Sequence, residues 1–197
     1  MSTPIKDGTG KGYAAKVDIN NRLYVDSRSH TLQHDISHRH QRAFQVRGEA
    51  TPVSGSATVL HINNGNTTQA LVITYLRLQA VGLTGGTAVP DTGNYFDVNF
   101  GRTYTSGGSS VTPINAYQGS AKTATDVTAY DSAPTVGGTA LVLDRWYVSA
   151  DGAMETFIKG GSVVVGPGQN MDITYTGDHT AGIVQARVSF LMLNEDE

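Results

Sequence analysis

Hydrophobic residues recur at every second position in segment after segment beyond residue 50, and that period confines the chain to β structure. Phe96, Val98 and Phe100 alternate with Tyr95, Asp97 and Asn99, the pattern of a strand with one buried face and one wet face. Ile173 and Tyr175 alternate with Asp172 and Thr174 in the same way. Val184, Ala186, Val188, Phe190 and Met192 alternate with Gln185, Arg187, Ser189 and Leu191. Longer apolar strands are expected over 70–81 and 140–148, and shorter ones at 57–62, 156–159 and 162–165. Between them lie turn signals: Asn63-Asn64-Gly65-Asn66, Gly85-Gly86, Gly107-Gly108, Gly137-Gly138, Gly160-Gly161 and Gly166-Pro167-Gly168-Gln169. No stretch of this body carries a helical period. The sequence therefore predicts an all-β fold, an antiparallel β-sandwich that is jelly-roll-like, with an extended N-terminal arm.

The arm is assigned to residues 1–50 and the sandwich body to 51–197. Within the arm, Tyr13–Val17 and Arg22–Val25 flank Asp18-Ile19-Asn20-Asn21, which reads as a small β-hairpin with a polar turn. A lone hairpin is marginal in water, so this one is expected to pack on a neighbour or on its own body. Leu32, Ile36 and Ala43 are spaced for a short helix over 29–43. Charge divides along the same boundary. The first 50 residues carry eight basic and five acidic side chains, a net +3; the remainder carries six and twelve, a net −6. A basic arm that also holds four of the six histidines suits docking on a negative surface.

Several function classes fall away. With no cysteine the chain is neither a disulfide scaffold nor a Cys-based zinc module. Its apolar runs, such as Ala70–Ile73 and Phe190–Leu193, are far shorter than the ~20 residues of a membrane helix, and no membrane partner is expected. Met1-Ser2-Thr3-Pro4 opens no apolar signal region. A +3 arm offers few phosphate contacts, and no Lys/Arg stripe with stacking aromatics is present, so no direct nucleic-acid partner is expected.

Candidate chemistry is thin. Asp7-Gly8-Thr9-Gly10-Lys11-Gly12 has the wrong spacing for a phosphate loop, and Gly12 stands where Ser or Thr is required. His30, His34 and His38 would share one face of a helix, whereas His38 and His40 would share one face of a strand. Imidazole suits Zn, Fe, Ni or Cu, and a threefold assembly would multiply these ligands. Solvated or interface histidines are the competing reading. The next glutamate is Glu49, nine positions past His40, which argues against a cupin-type metal site. Gly160-Gly161-Ser162 and Gly107-Gly108-Ser109 lack the last glycine of a Gly-x-Ser-x-Gly nucleophile turn. Trp146 and Tyr147 read as core or interface residues, and Glu195-Asp196-Glu197 as a solvated acidic tip. No catalytic, cofactor-binding or metal-ligating residue is assigned, no cofactor is expected, and the chain is read as a non-enzyme.

Asp7-Gly8-Thr9-Gly10-Lys11-Gly12-Tyr13-Ala14-Ala15-Lys16-Val17-Asp18, followed by Asn21-Arg22-Leu23, resembles the opening of a group of tailed-bacteriophage virion proteins. Leu60-His61-Ile62-Asn63-Asn64, the 113–119 region and the Gly166-Pro167-Gly168 turn are similar to later parts of that group. The resemblance implies a structural component of the particle, a capsid decoration (cement) protein or another head appendage. It would be made in the host bacterial cytoplasm and located in the virion. The partners implied are further copies of itself, as a homotrimer, and the major capsid protein or other virion subunits. The alternative is a tail- or fibre-associated host-adsorption module that binds carbohydrate through Tyr95, Tyr104, Tyr117 and Tyr130, expected in loops.

Overall fold

The alternating segments form antiparallel ladders. A computed structural model describes residues 40–89, 91–148, 153–156 and 163–194, with the backbone alone at 153–156. Its strands are β1 (Ala43–Ala50), β2 (Gly55–Asn64), β3 (Gln69–Thr84), β4 (Tyr95–Phe100), β5 (Thr103–Ser106), β6 (Ser109–Val111) and β7 (Ile114–Asn115). They continue with β8 (Val127–Asp131), β9 (Thr135–Gly137), β10 (Leu141–Tyr147), β11 (Ala153–Thr156), β12 (Val163–Val165), β13 (Asn170–Gly177) and β14 (Ala181–Asn194). The first sheet runs β11-β3-β14-β1-β7, with β12 also on β3; the second runs β10-β4-β13-β2-β8-β6; β5 and β9 form a separate ribbon.

The pairing is nested. β1 pairs with β14, β2 with β13, β3 with β12 and β4 with β10, all antiparallel. The chain is thus one long folded ribbon whose successive pairs are laid alternately on the two sheets, which is the jelly roll. Phe44, Val46, Leu76, Leu78, Val188 and Phe190 of the first sheet meet Leu60, Ile62, Phe96, Val98, Ile173 and Tyr175 of the second in one core. Phe44 stacks on Phe190 with ring centroids 5.8 Å apart, and Phe96 meets Tyr175 edge-on at 5.4 Å. Gly48 is where β1 crosses β2: a Cβ there would sit 2.8 Å from the Val59 carbonyl oxygen. Bulges in the β3–β14 and β2–β13 ladders reset the alternation so that apolar residues on both sides of each bulge still face inward.

Three expectations change. Residues 43–50 belong to the first sheet, as β1 between β14 and β7, and not to an arm. Ala43 therefore opens a strand, where a helix over 29–43 was expected; residues 29–39 of that segment, the 13–25 hairpin, and residues 157–159 and 162 of the expected strands lie outside the described residues. Between 103 and 137, where only turn signals are legible in the sequence, five short strands form.

Candidate functional site

Strand alternation turns a second set of side chains outward from each sheet, and on the second sheet these fall into rows. One row crosses five strands as Asn99, Asp172, His61, Tyr130 and Ser110. The next holds Arg145, Asp97, Thr174 and Thr58; a third holds Tyr147, Tyr95, Thr176 and Ser56. At the other end of the face Asn170, Asn63 and Thr128 stand side by side.

This face is not wet. His61, Asp172, Asn99, Thr174, Thr58 and Asp97 are all buried, where the alternation of Asp97 and Asn99 had predicted solvent. Two arginines close over it. Arg102 donates through Nε to Asp172 Oδ1 at 3.0 Å and through its second nitrogen to Asp172 Oδ2 and Thr174 Oγ1. Asp172 Oδ2 also accepts from Asn99 Nδ2 at 3.1 Å and from Thr174 Oγ1 at 3.0 Å. Arg145 grips Asp97 with two bonds of 2.7 and 2.9 Å and lies 3.9 Å over the Tyr95 ring, which meets Tyr147 edge-on. Each buried carboxylate thus has a two-pronged cationic partner.

Tyr104, carried in by β5, completes the cover. Its ring stacks on Tyr130 at 3.8 Å, nearly parallel, and its centroid is 6.4 Å from that of His61. His61 is fully buried and neither ring nitrogen has a hydrogen-bond partner. Burial pushes its pKa below the ordinary 6.5; the Asp172 charge opposes that and Arg102 adds to it. Beside the stacked pair lies an open groove of about 370 Å3, lined by Tyr104, Tyr130, Asn63, Asn170, Thr103 and Thr128. It presents ring faces and edges, carboxamides and hydroxyls, with no charged side chain in its lining.

Elsewhere, at one end of the sandwich, Tyr175 donates its hydroxyl to Asn94 Oδ1 at 3.0 Å, and His179 Nδ1 lies 3.1 Å from the hydroxyl and 3.0 Å from that same oxygen. Burial first, and the Asp178 charge second, pushes Tyr175 up to about 12. Among the described residues no three His, Asp or Glu side chains converge on a cation site.

Of the tyrosines singled out in the sequence, Tyr104 and Tyr130 come together; Tyr95 joins Arg145 and Tyr147 instead. Those three lie on strands, not in loops. Trp146 packs partly buried against the core and Tyr147 is half exposed. His30, His34 and His38 lie outside the described residues, while the carbonyl of His40 accepts from Lys122 Nζ at 2.8 Å. The sequence pattern did not single out Asp97, Asn99, Asp172, Arg102 or Arg145 as a site, because their partners lie 48 to 75 residues away. No protein-family model matches the chain, and no curated protein matches it.

Proposed function

We propose that the chain is a non-enzymatic structural component of a bacteriophage particle, a capsid decoration protein that docks on neighbouring virion subunits through its N-terminal segment and acts as a homotrimer. The observation that carries this reading is an exposed edge with an apolar stretch. Among the described strands β10 ends the second sheet and exposes Leu141, Val142 and Leu143, the first by 64 %, ahead of the charged Asp144 and Arg145. An exposed apolar run at a sheet edge is a template for pairing with another chain. The resemblance of residues 7–23 to virion proteins and the basic character of that end support the same reading. Mass spectrometry of purified particles tests it: stoichiometric copies are expected, and their absence refutes it. Removing residues 1–39, which spares β1, is expected to abolish attachment while leaving the sandwich folded.

A second reading rests on the Tyr104–Tyr130 groove. Stacked rings beside carboxamides and hydroxyls suit a neutral saccharide, whose C–H faces lie on aromatic rings while its hydroxyls pair with amides. On this reading the protein is a host-adsorption module. Binding to a glycan array, lost in Tyr104→Ala, supports it; no binding by the intact chain removes it.

A further inference from the structure

The outward face of the first sheet places like charges opposite one another. Arg47 on β1 pairs in register with Arg187 on β14, which pairs with Arg77 on β3. The row ends at Glu155 on β11. Neighbouring strands are about 5 Å apart, so three guanidinium groups are delivered across about 10 Å of sheet. Like charges directly opposite one another are destabilising. Glu49 lies on this face too, bound to Arg47 at 2.9 Å and accepting from Gln185 at 3.3 Å. Arg187 stands in the middle of the row, with an arginine on either side. Arg47, Arg77, Arg187, Gln79 and Gln185 line a pocket of about 110 Å3, of a size for one or two carboxylates.

The chain contains one run of three consecutive acidic residues, Glu195-Asp196-Glu197, directly after β14. It cannot reach the arginine row of its own chain. Arg187 lies seven residues back along the same strand, about 23 Å at 3.3 Å per residue. Reversing direction consumes at least two residues, which leaves the run about 3 Å of return. Nothing prevents the run of another copy from reaching it. Any extended Glu-x-Glu segment sets its two carboxylates on one side about 7 Å apart, a spacing that suits one carboxylate to each adjacent arginine pair.

We propose that the Arg47–Arg187–Arg77 row receives the Glu195–Glu197 segment of a neighbouring copy. This deepens the proposed self-assembly, on which it rests. The contact joins two different patches, so it is heterologous, and repetition by rotation closes a ring such as a trimer. Sedimentation of the full chain at low and high ionic strength tests the contact. Self-association is expected at low salt and is weakened by salt. Arg187→Glu is expected to weaken it about tenfold or more, as is the triple change Glu195→Gln, Asp196→Asn, Glu197→Gln. Reversing both sides, with Arg47→Glu, Arg187→Glu and Arg77→Glu combined with Glu195→Arg and Glu197→Arg, is expected to restore it. The triple variant leaves β14 intact and keeps the test decisive if Arg187→Glu fails to fold. A chain that is monomeric under all conditions, association indifferent to these changes, or failure of the charge-swapped variant to recover overturns the proposal. If particles carry stoichiometric copies while the isolated chain stays monomeric, this contact falls and the virion reading stands. If the chain associates as described but particles lack it, the reverse holds.

Discussion

Replacing Arg102 by alanine isolates the energetics of the covered face. The Asp172 side chain is 0 % exposed and that of Arg102 only 17 %, so little solvent screens the pair. Alanine removes both guanidinium bonds to Asp172 and the one to Thr174. Asp172 Oδ2 keeps Asn99 and Thr174, whereas Oδ1 loses its Arg102 donor. Removing one partner of a buried ion pair costs about 3–5 kcal/mol, because a charge is left without compensation. The two surviving neutral donors place Arg102→Ala near the lower end, about 3 kcal/mol. For a body of this size that is a fall of roughly 6–12 °C in Tm. Arg47→Ala serves as the reference: Arg47 and Glu49 are 52 % and 49 % exposed, and such a pair contributes at most about 1 kcal/mol. Urea unfolding of the two variants, compared at unchanged m-value, reads the difference directly. Arg102→Met with Asp172→Leu is expected to recover most of the loss, since apolar replacement of a whole buried pair is often neutral. An Arg102→Ala cost no larger than that of Arg47→Ala would refute the reasoning.

His61 sets an acid limit on stability. Its pKa is lowered on folding, so below 6.5 the unfolded chain binds a proton that the native ring refuses; stability is whole above 6.5 and declines as pH falls toward the lowered value. The slope is at most about 1.4 kcal/mol per pH unit, and in pH-dependent urea melts His61→Gln is expected to flatten it. Asp178, held below 3.8 chiefly by the hydroxyl and amide of Thr87, acts only in a more acid window. Gly177→Ala would drive a Cβ into Asn94 Oδ1 and the Tyr175 hydroxyl. Calorimetry is expected to show a loss of about 2 kcal/mol or more, the class of a broken buried network. Ala133 has φ 59°, a left-handed conformation that costs an L-residue about 1 kcal/mol, so Ala133→Gly is expected to be neutral or to raise Tm slightly.

Strands that set an apolar face on the core and a polar face opposite were legible, because alternation records that packing. β4, β13 and β14 are such strands. β1 obeys the same rule with Phe44, Val46, Gly48 and Ala50, but two of those positions are small. Gly48 must be small where β1 crosses β2, and that requirement erases the hydropathy signal and makes the strand resemble an arm. β5 and β9 pack on a polar face, so Thr103-Tyr104-Thr105-Ser106 and Thr135-Val136-Gly137 carry little apolar alternation to read. The covered face was illegible for a related reason. Asp97 on one strand and Asp172 on another look solvated until Arg145 and Arg102, 48 and 70 residues away in sequence, are laid over them. Pairing at that separation is a property of topology, and local periodicity contains none of it.

The two outward faces solve the placement of charge in opposite ways, and the contrast is informative. On the second sheet Asp97 lies opposite Arg145 in register, and Asp172 is closed by Arg102 from outside the ladder. The carboxylates there are buried and each is paired. On the first sheet the same ladder geometry sets Arg187 between two arginines. A register that favours the apolar face fixes the outward neighbours too, because a slip of one residue would turn the core outward. The register does not dictate that all three outward positions be arginine: serine, threonine or glutamine would fit the strands without repulsion, and Gln45, Ser189, Gln79 and Gln185 occupy the adjoining outward sites. Setting three arginines at one register position is therefore a choice of residue and not a consequence of the fold, whereas on the second sheet the arginines stand against carboxylates that burial would otherwise leave uncompensated.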